Sequence, residues 1–191
     1  MKSFRLSLAL AAALLVGPAL AQQAAPQQTA PQGPPKPSDV KEIGDWTVRC
    51  YPVKSPTPCE MLELRVAKKT GQRILGFLMA YAPSNNAHVM QISVPLGVSL
   101  QNGLVINSDT FKSPVIKFRR CDQGGCYVES AVGDDVIGQL AKATNAKIQI
   151  VSVDGKRFDL AFSLKGFNEA HSALVELAKS HAGKGEAAPA Q

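Results

Sequence analysis

Histidine is scarce in this chain. His88, His171 and His181 are the three in 191 residues, and none stands at metal-ligand spacing from another, so the sequence predicts no bound metal. Neither H-E-x-x-H nor G-x-S-x-G occurs, which removes two common hydrolase signatures. No G-x-G-x-x-G or G-x-x-x-x-G-K loop is present to cradle a phosphate, so no nucleotide cofactor is expected either. An excess of one charge is missing as well. The whole chain carries a formal +6, but residues 38–180 hold 17 Lys/Arg against 14 Asp/Glu, or +3, which gives no case for nucleic acid. Aromatics make up 6% of the residues. The reading is a non-enzymatic chain without cofactor, and one short enough to hold a single core.

What is present begins with an export signal. Lys2 and Arg5 precede the apolar run Leu6–Val16, and Ala19-Leu20-Ala21 supplies the small-x-small pattern of a cleavage site. Pro18 interrupts the run short of the ~20 apolar residues that a membrane span needs, so residues 1–21 are expected to leave and Gln22 to become the N-terminus. No later run approaches that length, and no transmembrane segment is expected after cleavage. Residues 22–37 are rich in Pro, Gln and Ala and nearly free of large apolar side chains, the composition of a disordered linker. A domain over 38–180 and a disordered tail over 181–191 complete the expected organisation.

All four cysteines, Cys50, Cys59, Cys121 and Cys126, lie after the signal, and an even count in an exported chain predicts two disulfides. Of three possible pairings the local one is favoured, Cys50 with Cys59 and Cys121 with Cys126, because turn-forming residues separate each pair: Pro52, Pro56 and Pro58, then Asp122-Gln123-Gly124-Gly125. Eight residues between Cys50 and Cys59 fit a zinc site poorly. Four residues between Cys121 and Cys126 do not make the C-x-x-C of a redox centre.

Period-two alternation dominates the domain. Trp46, Val48 and Cys50 share one face of a strand, and the pattern recurs at Leu62/Leu64/Val66, Met90/Ile92/Val94 and Phe158/Leu160/Phe162/Leu164. Ile74–Tyr81 is apolar throughout, which predicts a central strand covered on both faces. Shorter strands are expected over 103–107, 114–119, 126–131 and 146–153. Helical spacing appears behind Asp134-Asp135, at Val136, Ile137, Leu140 and Ala141, and again from about Asn168 to Ser180. The fold class expected is mainly β: an antiparallel sandwich, Ig-like or jelly-roll-like, with two short helices at an edge or end. A partly closed barrel is the alternative.

Residues that carry chemistry elsewhere have plainer readings here. Asp134 and Asp135 start a helix, His171 is a helix residue, His88 lies at a strand end and His181 in the tail. The cluster kept as a partner-binding site is Lys117, Arg119 and Arg120, where alternation turns Phe118 inward and leaves a basic strip beside the second cysteine pair.

Taken in order, Gly44-Asp45-Trp46-Thr47-Val48-Arg49-Cys50, Cys59, Val94-Pro95-Leu96-Gly97-Val98-Ser99-Leu100, Cys121-Asp122-Gln123-Gly124-Gly125-Cys126 and Phe162-Ser163-Leu164-Lys165-Gly166-Phe167-Asn168-Glu169-Ala170 resemble the invasion-associated locus B family over about Gly44 to Leu177. The resemblance implies an exported accessory protein of the bacterial envelope, periplasmic or secreted to the outer surface. Its implied partner is an unidentified protein or envelope component, with the host-cell surface among the candidates. It implies no catalytic residue. Trp46 is expected as a core anchor, Pro95 and Gly97 as a strand end and turn, and Phe167 as a core plug at the start of the last helix. The rival functions are a periplasmic envelope-maintenance module without a host role and a hydrolase with a noncontiguous site.

Overall fold

A computed structural model describes residues 35–182. The expected leader, most of the linker and the tail beyond Ala182 lie outside the described residues. In chain order the elements are β1 (Asp39–Ile43), β2 (Trp46–Cys50), β3 (Cys59–Val66), β4 (Arg73–Ala82), β5 (Ala87–Val94), β6 (Leu104–Ser108), β7 (Arg120–Asp122), β8 (Gly125–Val132), α1 (Asp134–Lys142), β9 (Ala146–Val151), β10 (Arg157–Phe162) and α2 (Phe167–Ala182). The expected mainly β architecture is present. Seven strands form one antiparallel sheet in the order β1-β2-β3-β4-β5-β8-β7, and β10-β9-β6 form a second.

Alternation sets the inward faces of β2 and β5 as read from the sequence. β3 is inverted, with Met61 and Glu63 facing the core and Leu64 and Val66 more than half exposed, and in β10 only Phe162 is buried while Phe158 is exposed. Register aligns Met61, Met79 and Met90 across β3, β4 and β5, and Glu63, Phe77, Ile92 and Val128 across β3, β4, β5 and β8. Facing them are Leu104 and Ile106 from β6, Ile148 and Ile150 from β9, and Phe162 from β10. Helix α2 fills the rest of that layer. It buries Phe167, Ala170, Leu174 and Ala178, a stripe at helical spacing, and packs against β1 to β4. One hydrophobic core results.

Four further local expectations need correction. β4 is the middle strand of seven, yet only one of its faces carries a second layer: on the other, Leu64 and Val89 flank Gly76 and Ala80 and stay half-exposed. The run reads as apolar throughout because Gly76 and Ala80 on the uncovered face are small and buried beside longer neighbours. Residues 114–119 form no strand; isolated bridges at Lys112 and Ile116 stitch the segment to β6. β1 and β7 were not expected, since β1 is a charged edge strand and β7 has three exposed residues, leaving neither an apolar rhythm. Finally, α2 runs to Ala182 instead of stopping at 180. His181 anchors its end, its ring nitrogens lying 3.0 Å from the Leu177 carbonyl and 2.9 Å from the Asp39 carboxylate.

Candidate functional site

The two ends of the domain meet at an aromatic junction. Trp46, at the start of β2, is fully buried; its ring meets Phe77 edge-on at 5.7 Å and Phe167 at 5.3 Å, while Phe77 stacks on Phe162 at 5.0 Å. The indole N–H donates to the Ser163 carbonyl at 3.0 Å, so the ring is both packed and satisfied. Beside it the β1–β2 turn lies against the β10–α2 turn, where the Asp45 N–H donates to the Lys165 carbonyl at 3.1 Å. Both turns use glycine for two reasons. Gly44 and Gly166 have φ of 62° and 82°, and a Cβ on either would lie 2.3 Å from the Lys165 oxygen or 2.5 Å from the Ile43 oxygen. Gly44-Asp45-Trp46 and Gly166-Phe167 are thus two halves of one contact, and their role is to close the fold.

Against this junction lies Glu63, a carboxylate on the core face of β3 with 2% of its surface exposed. Its Oε1 is 2.5 Å from Arg65 Nε and accepts from the Ser163 N–H at 3.4 Å; Oε2 has no hydrogen-bond partner. Burial raises its pKa above the ordinary carboxylate range, and Arg65 opposes the shift without cancelling it. Next to the pair is an open cleft of about 510 Å³, bounded by Arg65, the 143–146 connection and residues 161–165. Its wall mixes Arg65, Lys165, Asn145 and Thr144 with apolar and small residues and brings together no recognisable nucleophile–base pair.

The four cysteines form the two local disulfides, Cys50–Cys59 and Cys121–Cys126, and no cysteine is free. Each links residues directly opposed on antiparallel neighbours, β2 with β3 and β7 with β8. In the second hairpin Asp122 Oδ1 accepts from the Gly124 N–H at 2.7 Å, which holds that carboxyl below its usual pKa and fixes the turn.

The basic strip is arranged differently from a free cationic patch. Lys117 and Arg119 are exposed and Phe118 is partly buried against the core, as alternation suggests. Each cation nevertheless has an acceptor in its own chain. Lys117 Nζ donates to the Gln101 carbonyl at 2.6 Å, Arg119 pairs with Glu129 at 3.1 Å, and Arg120 pairs with Asp122 at 2.5 Å while its guanidinium sits 3.9 Å from the Tyr127 ring centroid. Part of the strip's charge is therefore already spent within the β7–β8 hairpin.

Sequence spacing missed one cluster entirely. His88 at the start of β5 and His171 on α2 are 83 residues apart, yet their Nε2 atoms lie 3.0 Å from each other. His88 is buried against Tyr81, and its Nδ1 is 3.9 Å from the Asp134 carboxylate at the start of α1. The surface reading of His88 is corrected, since it is buried, while His171 is the partly exposed helix residue expected; together they form a pair joining β5 to α2. Burial lowers the pKa of both. The signal available in the sequence was slight. His88 continues the inward row of Met90, Ile92 and Val94, and His171 sits one position after the buried Ala170.

Fold and disulfides together define a class: a two-layer antiparallel sandwich, half-covered by a C-terminal helix and pinned by two cross-strand cystines. A family model described as invasion associated locus B (IalB) protein matches residues 46–175, so the chain belongs to that family. Among curated proteins it is similar to the invasion protein B homologues of Brucella abortus strain 2308 and of biovar 1 strain 9-941, each 27% identical over 137 residues, covering 71% of this chain and 78% of the relative. Among solved structures it matches the crystal structure of invasion associated protein B from Bartonella henselae. The TM-score is 0.65 at 18% identity, over 74% of this chain and 99% of that one, a likeness of fold.

Proposed function

We propose that this chain is an exported binding or accessory protein of the bacterial envelope, acting without catalysis, and that it contributes to invasion of host cells. The observation that carries the reading is family membership over residues 46–175, with relatives named as invasion protein B homologues. The two cystines favour an oxidising compartment, periplasm or cell exterior, and the leader over 1–21 supplies a route there. No described helix is long and apolar enough to cross a membrane, which suits delivery as a processed domain on a linker. Partner binding is assigned to the exposed surface that includes Lys117, Arg119 and Arg120.

Protease shaving of intact cells, with a periplasmic protein as leakage control, tests the location. Digestion of the intact-cell pool, together with reduced invasion by a deletion strain, is the expected result. Protection until the outer membrane is opened, with unchanged invasion and greater sensitivity to envelope stress, would overturn the host role in favour of periplasmic maintenance.

A further inference from the structure

We propose that His88 and His171 form a chelating site for a tetragonal divalent transition metal, copper(II) or nickel(II), which would clamp α2 onto β5. The inference does not depend on the envelope role. It starts from the approach of the two Nε2 atoms to 3.0 Å. A metal at the usual ~2.0–2.1 Å from each imidazole nitrogen would then subtend roughly 90–97° between them, the angle of neighbouring ligands in a square or octahedral set and narrower than a tetrahedral site prefers. The rings are placed for it. Their centroids are 4.9 Å apart with planes inclined at 37°, so they meet tip to tip, close to the ~4.7 Å that two rings converging on one such metal would show.

Further features favour a ligand pair over a simple packing contact. Each Nε2 has the other ring as its only hydrogen-bond partner among the described residues. Two neutral rings satisfy that contact only if one carries its proton on Nε2, whereas a metal would use both lone pairs. Asp134 lies 3.9 Å from His88 Nδ1, beyond hydrogen-bond distance, where its charge favours the tautomer protonated at Nδ1 and leaves Nε2 to coordinate. His171 retains some exposure, which gives an ion a way in and leaves room for water in the remaining positions.

The test uses the purified, oxidised chain. One equivalent of copper(II) should bind, raise the melting temperature by about 3–5 °C at saturation, and give an electron paramagnetic resonance spectrum with two equatorial nitrogens. Nickel(II) should follow at higher concentration, and calcium should do nothing. The His171→Gln variant should lose at least tenfold in copper affinity and lose the two-nitrogen signature, while His181→Gln should retain both. Circular dichroism and the absence of free thiols certify that each variant is folded; if His88→Gln fails that check, His171→Gln decides. Wild-type protein without the thermal shift, or a two-nitrogen spectrum that survives His171→Gln, would overturn the proposal.

Discussion

The two disulfides have the same local form and different settings. Both close a short segment and both join directly opposed residues on antiparallel strands. Cys50 and Cys59 are buried in the core, at the far end of β2 from Trp46, so their sulfurs are packing atoms as well as a crosslink. Cys121 is exposed on a three-residue edge strand whose other contacts are charged pairs at the surface, and only its partner Cys126 reaches the core. The first bridge belongs to the closure of the whole domain; the second holds one hairpin in place. A cystine's contribution is thus set by what surrounds it as much as by the loop it closes.

That contrast is broken most severely at the buried end. Trp46→Ala should cost about 3–5 kcal/mol, measured by urea denaturation, because it leaves a large cavity and strands the Ser163 carbonyl without its donor. Replacing both Cys50 and Cys59 by Ala should cost about 3 kcal/mol or more, combining chain entropy with lost packing, whereas the Cys121/Cys126 double replacement should cost about 2 kcal/mol. Equal losses in the two double variants would erase the distinction.

A smaller effect separates buried from exposed charge. Glu63 has a raised pKa in the folded state, so folding favours its protonated form; its contribution is full below the unfolded pKa and is lost as pH rises through the folded one. Stability should therefore decline through that window, and Glu63→Gln should flatten the decline, read from urea midpoints over an acid-to-neutral series. At the hairpin, Arg119→Ser with Arg120→Ser should change stability by less than about 1 kcal/mol, since exposed pairs contribute little. The same variant should weaken partner binding if the basic strip forms the contact.

The two regions were unequally legible in the sequence for the same physical reason. Trp46, Val48 and Cys50 announce themselves because a half-buried strand must alternate, and both cystines follow from pairs flanked by turn residues. β1, with Val40 more than half exposed, has no such constraint and left no signal. The Glu63–Ser163 contact and the His88–His171 pair join residues 100 and 83 positions apart. They depend on how α2 and β10 settle on the large sheet, which local periodicity does not encode. Phe167 is the instructive middle case: its place as a core plug was implied by family resemblance, and its packing against Trp46 gives the physical reason.

The most direct measurement is intact mass followed by non-reducing peptide mapping of the protein recovered from the envelope fraction of the native cells. The account predicts a chain beginning at Gln22, no free thiol, and the two links Cys50–Cys59 and Cys121–Cys126. A chain retaining residues 1–21 with reduced cysteines, or a link from Cys50 to Cys121, would contradict it.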